Sequence, residues 1–141
     1  AKVLGHSWFD ASVHATPALQ WTPDGQGLLL ADGENGIATS LIRFDLKTQA
    51  RAQVYTLPSG SRMRGFAFSP SFQQLAIVMQ TGNQYRLHTL DFDSQLRPNG
   101  QPKPVLPESS DTEAPAWSPN GDLYFIRAQR ELWRVRNKRP E

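Results

Sequence analysis

The chain has 141 residues, a formal net charge of +2 and 38% hydrophobic residues, a composition typical of one globular domain with a modest core. It contains no cysteine, which excludes disulfides, cysteine nucleophiles and cysteine-based metal sites. No stretch approaches the roughly 18 apolar residues that a membrane-spanning helix needs, so we expect no membrane insertion within this chain. We expect residues 1–141 to form a single domain.

The N-terminal segment combines a short predicted strand with a long loop. Residues 2–4, Lys-Val-Leu, resemble the sequence Lys-Pro-Val-Leu at residues 103–106. The loop that follows, residues 5–17, carries two histidines, two aromatic residues and an aspartate: His6, Trp8, Phe9, Asp10 and His14. Aromatic anchors among polar groups are typical of protein-binding surfaces. The alternative is that Trp8 and Phe9 pack between sheets and only fix the loop.

An aromatic residue, a hydroxyl residue and a proline recur three times further along the chain. The copies are Trp-Thr-Pro-Asp-Gly at residues 21–25, Phe-Ser-Pro-Ser-Phe at 68–72 and Trp-Ser-Pro-Asn-Gly at 117–121. This spacing is typical of a repeated antiparallel sheet, such as the blade of a propeller. The second copy has Ser71 and Phe72 where the others end in glycine, so we expect its turn to be built differently.

Each copy is followed by the same succession of predicted strands and turns. A short apolar run comes first, as expected of a strand buried on both faces, then a polar turn and a further strand. The apolar runs are residues 28–31, 75–78 and 123–126, and the strands after the turn are 41–45, 87–91 and 132–136. The first two copies continue into a fourth strand, at residues 53–58 and 103–107. Each unit is therefore predicted to be a four-stranded meander.

The third unit ends too early for a fourth strand. We predict an all-β chain with blade 1 at about 18–58, blade 2 at about 64–107, and blade 3 at about 114–136, completed by the strand at 2–4. A propeller ring closes with roughly four to eight blades, so three blades cannot close. Either the chain is half of a six-bladed ring with the rest of its chain missing, or two copies close the ring as a two-fold homodimer. The matching ends favour the dimer.

The motif at 117–121, followed by an apolar strand and by Leu-Trp-Arg-Val at 132–135, resembles the WD-like propeller repeat of TolB-type proteins. The resemblance covers roughly residues 18–136. Blades of that family often have an aspartate near the end of the third strand, which Asp45 and Asp91 match and Arg136 does not. The resemblance implies a propeller fold, and a propeller fold alone does not define a function.

The resemblance also implies several biological settings. TolB itself is a periplasmic protein that binds a lipoprotein and colicins. Similar repeats form the extracytoplasmic half of some membrane-anchored winged-helix transcriptional regulators, and they accompany prolyl-oligopeptidase-like hydrolases. We therefore expect a non-enzymatic protein-interaction or sensor module of a bacterial, extracytoplasmic protein, with a protein or peptide partner. The alternatives are an accessory propeller of a hydrolase and a purely structural dimerisation unit.

Propeller topology predicts where a partner would bind. The turns between second and third strands share one face with the connections from a fourth strand to the next blade. The candidate residues on this face are His6, Trp8, Phe9, Asp10, His14, Asp32, Glu34, Asn83, Asp111 and Glu113. Because imidazole titrates near neutrality, a pH-sensing role for the two histidines also stays open.

Catalytic and cofactor motifs are not recognisable in the sequence. There is no Gly-x-Ser-x-Gly elbow, and residues 60–65 lack the Lys-Ser/Thr of a phosphate loop and fit a blade connection better. His6, Asp10 and His14 are suitable metal ligands, but no second cluster supports a site. Residues 32–36 lack the full ligand series of a calcium loop. Trp133, among basic residues, could stack a nucleic-acid base, but fits a blade strand better, so nucleic-acid binding is not expected.

Overall fold

The computed structural model describes residues 19–34, 37–107 and 111–136. Over these residues the chain forms three antiparallel sheets and no helix. The first sheet contains β1 (Leu19–Trp21), β2 (Gly27–Glu34), β3 (Ile37–Asp45) and β4 (Arg51–Thr56). The second contains β5 (Ser61–Phe68), β6 (Gln74–Thr81), β7 (Gln84–Phe92) and β8 (Pro98–Pro104). The third contains β9 (Thr112–Trp117), β10 (Leu123–Arg127) and β11 (Glu131–Val135).

In every sheet the strands are neighbours in chain order, which is the meander of a propeller blade. The predicted all-β architecture of propeller-type blades is thus confirmed, as an open arrangement that does not close into a ring. The strand predicted at residues 2–4 lies outside the described residues. No helix in the part of the chain that the structure describes is long and apolar enough to span a membrane.

Two strand positions in the second sheet differ from the sequence prediction. The fourth strand is β8, which begins at Pro98, because Asp93 closes a short turn whose Oδ1 accepts hydrogen bonds from the backbone N–H groups of Gln95 and Arg97 at 2.9 and 3.0 Å. A polar, exposed outer strand carries no apolar pattern, so the predicted position of this strand, residues 103–107, is too late in the chain. The connection predicted to extend to residue 64 ends earlier, since β5 already begins at Ser61.

The repeated motif forms the turn between the first and second strand of each sheet. In all three copies the side-chain hydroxyl oxygen accepts a hydrogen bond from the backbone N–H where the chain re-enters the sheet, and this bond closes the turn. The bonds join Thr22 to Gly27 at 3.0 Å, Ser69 to Gln74 at 3.2 Å and Ser118 to Asp122 at 3.0 Å. The repeated motif therefore marks the same hydrogen-bonded turn in each sheet, and its spacing along the chain is the length of one blade.

The expectation of a different turn in the second copy is wrong. The residue three positions after the hydroxyl has a positive φ in every copy, namely 68° at Gly25, 58° at Phe72 and 87° at Gly121. A left-handed backbone costs a non-glycine residue about 1–2 kcal/mol. Phe72 offsets this cost by stacking on Phe68, with ring centroids 5.4 Å apart.

The core lies between the sheets. One cluster of buried side chains joins the first and second sheets and includes Leu29, Leu41, Phe66 and Phe68. A smaller cluster joins the second and third sheets: Ala76, Val78, Leu87, Leu123 and Phe125. Strand β6 contributes to both clusters and is buried on both faces from Leu75 to Gln80. The continuous apolar run in the sequence is explained by this sandwiched position.

The two outermost sheet faces expose large apolar side chains. In β1, Leu19 and Trp21 flank Gln20, which bonds to the second sheet, so these two side chains lie on the opposite face and are 64% and 57% exposed. In β11, Leu132 pairs with Ile126 on the face away from the second sheet and is 70% exposed. Exposed apolar side chains grouped in this way mark surfaces on which other protein can pack.

Candidate functional site

One side of the stacked sheets gathers the turns between second and third strands and the connections between sheets. We call this side the turn face. Among the described residues it consists of the ends of β2 and β3, the turn at Gly82 and Asn83, the turn from 128 to 130, and the connections 57–60 and 105–107 with Asp111. The turns that are closed by a side-chain hydroxyl lie at the opposite ends of the strands. The two sides of the stacked sheets therefore carry different kinds of turn.

The predicted site residues are distributed over this face and do not form one cluster. Asp32 and Glu34 belong to β2, where Asp32 is half-buried opposite Ser40 and Glu34 is exposed at the strand end. Asn83 is exposed in the turn of the second sheet. Glu113 is half-buried in β9, opposite Ile126. The remaining predictions on the N-terminal loop, His6, Trp8, Phe9, Asp10 and His14, lie outside the described residues.

Asp111 joins two sheets. Its Oδ1 accepts a hydrogen bond from the backbone N–H of Tyr85 at 3.0 Å, and its carbonyl accepts one from Ala128 at 2.9 Å. The next residue, Thr112, is 3% exposed, and its Oγ1 accepts a hydrogen bond from the backbone N–H of Leu87 at 2.6 Å. The Asp-Thr pair therefore ties the third sheet to the second, and the Asp111 carboxylate is already engaged.

Two arginines on the turn face were not among the predicted residues. Arg62 and Arg64 lie in β5, the first strand of the middle sheet, and a bulge in the pairing between Met63 and Gly65 leaves Arg64 unpaired in the ladder. The Arg64 guanidinium carbon lies 4.9 Å from the centre of the Tyr85 ring, a cation–π distance. The sequence did not indicate these two arginines because a strand with strictly alternating side chains would place Arg62 and Arg64 in ordinary positions. The bulge becomes visible only in the pairing of the strands.

Gln80 lies beside these arginines. In the sheet it pairs with Arg62 on one side and with Tyr85 on the other, so the three side chains share one face of the second sheet. Its Nε2 donates to the carbonyl of Gly82 at 2.9 Å, whereas its buried Oε1 accepts no hydrogen bond. A buried acceptor without a donor costs on the order of 1–3 kcal/mol, which makes this position energetically unusual.

Trp133 is engaged in contacts within its own sheet. Its ring stacks near Phe125, with centroids 6.4 Å apart, and the Arg127 guanidinium carbon lies 5.1 Å from the ring centre. Its Nε1 donates to the Glu131 carboxylate at 2.9 Å, and Arg127 donates to the same oxygen at 2.8 Å. These two hydrogen bonds, with that from Trp133 the stronger influence, lower the pKa of Glu131. The contacts support the interpretation of Trp133 as a blade strand residue.

Within the described ranges, no three His, Cys, Asp or Glu side chains are grouped so that they could hold a metal ion. The turn face is a polar surface, and side-chain hydrogen bonds between the second and third sheets support it. Stacked meanders with such a face define a segment of a β-propeller.

Comparison with solved structures supports the assignment to the β-propeller class and indicates a TolB-like fold. TolB from Acinetobacter baumannii is similar over 83% of this chain, with a TM-score of 0.61 and 21% sequence identity. An oligogalacturonate lyase in complex with manganese is similar over 84% of the chain, with a TM-score of 0.55 and 14% identity. The similarity to a TolB-type propeller repeat is thereby confirmed for the fold.

The chain spans 28% of the length of that TolB and 39% of the lyase. At these identities the similarity concerns the fold alone. No family model and no curated protein sequence matches the chain.

Proposed function

We propose that this chain is a non-enzymatic, protein-binding segment of a β-propeller that presents its turn face to a protein or peptide partner. The observation that carries the proposal is that three blades stacked side by side contribute turns to one face. Exposed polar residues from different blades, such as Glu34, Asn83 and Gln129, lie on it. A rigid scaffold that presents several loops is a common arrangement for recognition.

The setting that we propose is a bacterial extracytoplasmic protein, either periplasmic or a membrane-anchored regulator in which this segment acts as a sensor. The TolB-like fold supports this setting, because the repeat family that it resembles includes periplasmic and membrane-anchored members. Localisation of the full-length gene product by cell fractionation tests it, and a cytoplasmic location would contradict it.

We further propose that a second copy of the chain closes the ring as a homodimer. The exposed apolar faces at Trp21 and Leu132 support this, since each lies at one end of the stack and lacks a neighbouring blade among the described residues. Light scattering over a concentration series should give twice the mass of the chain. Leu132→Asp should shift that mass to the monomer, and a wild-type monomer at all concentrations would contradict the dimer.

The binding proposal is tested by selecting peptides from a displayed library on the folded chain and measuring their dissociation constants by calorimetry. Combined replacement of Glu34 and Asn83 by alanine, or of Trp8 and Phe9, should weaken selected peptides at least about tenfold. Ser94→Ala, in an exposed turn at the opposite ends of the strands, is the matched control and should change nothing. If no peptide is selected, or if the control weakens binding equally, the proposal fails.

The second candidate function that we propose is an enzymatic propeller that acts on an acidic oligosaccharide, the activity named for the lyase of similar fold. Incubation of the chain with oligogalacturonate and Mn²⁺, monitored for unsaturated product by ultraviolet absorbance, tests this candidate. Sustained turnover would replace the binding proposal with the enzymatic one.

A further inference from the structure

The arginines of β5 form a group with the residues opposite them. Arg62, Gln80 and Tyr85 lie in one row across three neighbouring strands, and Arg64 covers the end of this row through its contact with the Tyr85 ring. We call these four residues the arginine row. Tyr85 fixes the position of the Arg64 guanidinium, so this group is oriented before any ligand arrives.

The two arginines of the row differ from three other arginines in how their charges are balanced. Arg43 binds Asp24 at 2.8 Å, Arg97 binds Asp93 at 3.1 Å and Arg127 binds Glu131 at 2.8 Å. Arg62 and Arg64 are half-buried, yet within the described residues neither is paired with a carboxylate. Half-buried positive charges are stable when an anion pairs with them, and guanidinium groups are suited to bind planar carboxylates through two hydrogen bonds.

The row lies where a ligand can approach from the turn face. The first strands of the three sheets lie next to one another: Gln20 Oε1 of β1 accepts a hydrogen bond from Phe68 N–H of β5 at 2.8 Å, and Trp117 Nε1 of β9 donates to the Ala67 carbonyl of β5 at 2.9 Å. These contacts are at the far end of β5. Arg62 lies at the opposite end, beside the turn that carries the exposed Asn83.

The surroundings of the row favour a single carboxylate over a polyanion. The Asp111 carboxylate accepts a hydrogen bond from the backbone N–H of Tyr85, so one negative charge lies next to the row. This charge opposes a chain of phosphates more strongly than a single carboxylate, because a chain of phosphates binds best to an extended basic surface. Gln80 adds a hydrogen-bond acceptor beside the two arginines, and a peptide offers a carboxylate together with N–H donors.

We propose that Arg62 and Arg64 bind the side-chain carboxylate of an acidic segment of a protein partner, with Gln80 and Tyr85 holding the row in place. This inference rests on the proposed protein-binding function and specifies the charge of the partner. It also predicts that binding weakens as ionic strength rises, because salt screens the attraction between charges.

The test uses the full chain and two end-capped peptides that are identical except for Glu in one and Gln in the other. Calorimetry should detect the Glu peptide only. Arg62→Gln and Arg64→Gln should each weaken it roughly tenfold or more, whereas Arg51→Gln, an exposed arginine at the opposite ends of the strands, should leave it unchanged. Thermal unfolding of each variant checks that the loss of binding is not a loss of folding. Arg62→Lys keeps the positive charge but not the planar guanidinium, and it should bind the Glu peptide more weakly than the wild type does.

Three outcomes would overturn the inference: equal loss in Arg51→Gln, binding of citrate or inorganic phosphate with no binding of the Glu peptide, and preferential binding of single-stranded DNA. Peptides selected from a library separate this inference from the proposed function. If selected peptides bind but are not acidic and do not respond to Arg62→Gln, the protein-binding function stands and the acidic partner is wrong. If no peptide of any kind binds, the proposed function itself fails.

Discussion

The first sheet meets the second mainly through buried apolar side chains, whereas side-chain hydrogen bonds to the backbone contribute much of the junction between the second sheet and the third. On the second sheet's side of the first interface, Phe68 contacts three other rings of its own sheet, those of Phe66, Phe72 and Phe92, at centroid distances of 5.1–6.4 Å. These rings belong to one buried cluster with Leu29 and Leu41 of the first sheet, and Gln20 adds a hydrogen bond to the backbone N–H of Phe68. In the second interface, Thr112 and Trp117 each bond to a backbone group of the middle sheet.

The difference shows that one repeat can pack in two ways. A large apolar interface is stabilised in proportion to the apolar area that it buries, and this stabilisation does not depend on the geometry of single hydrogen bonds. An interface with few apolar residues depends more strongly on individual hydrogen bonds, since an unpaired buried group is costly. We therefore expect the first interface to respond to changes of volume and the second to the loss of single polar atoms.

The largest effect is expected at the centre of the first interface. Phe68→Ala removes a ring that is 3% exposed and should lower the free energy of unfolding by about 3–5 kcal/mol, measured by urea denaturation. Ser94→Ala, at an exposed turn position away from both sheet interfaces, is the control and should change it by less than about 0.5 kcal/mol. If Phe68→Ala does not fold, Phe68→Leu provides a milder test, and a negligible effect there would contradict the role of the rings.

A smaller effect is expected from one polar atom in the second interface. Thr112→Val keeps the volume but removes the acceptor for the Leu87 N–H, and should cost about 1–3 kcal/mol. Thr112→Ser retains the hydroxyl and should recover most of this loss. Equal stability of the valine and serine variants would show that the hydrogen bond does not hold the interface.

The indole of Trp117 tests the same idea with an aromatic residue. Trp117→Phe keeps much of the ring but loses the hydrogen bond to the Ala67 carbonyl, and should cost about 0.5–1.5 kcal/mol in thermal or urea unfolding. Trp133→Phe, which loses a hydrogen bond to the exposed Glu131 carboxylate of its own sheet, should cost less. The opposite order would contradict a role for the Trp117 hydrogen bond in holding the two sheets together.

The smallest effect is a pH dependence of the first interface. Burial lowers the pKa of His88, which lies on the same face of β7 as Leu90 and Phe92. The unfolded chain therefore takes up this proton at a higher pH than the folded chain, so stability falls as the pH decreases through the unfolded value of about 6.5. His88→Gln should reduce the stability difference between pH 7.5 and pH 5, and an unchanged difference would contradict the assignment.

Much of the fold could be predicted because its signals are local. The hydroxyl turns and the apolar strands that follow them each depend on neighbouring residues, so their repetition indicates stacked sheets. Phe72 could not be interpreted in this way, because a phenylalanine does not indicate a positive φ, and its stacking on Phe68 exists only in the folded turn. Strand β8 was misplaced because an exposed outer strand needs no apolar residues.

The candidate site was less predictable than the fold. Asp111 is a polar residue in a connection, which suggested binding, but its hydrogen bond reaches a backbone group 26 positions earlier in the chain. Recognition of the arginine row requires the position of a bulge and the register of three strands. The spacing of residues in the sequence reveals neither, so Arg62 and Arg64 are recognised only in the structure.

Strand β6, enclosed on both faces, also determines how the molecule opens. Its amide hydrogens are shielded by a sheet on either side, so separating either neighbour exposes half of its side chains. Hydrogen exchange should therefore be slowest in this strand and should follow the opening of the whole stack. In a repeat array of this kind, deletion of one terminal blade should lower the cooperativity of unfolding for all that remains.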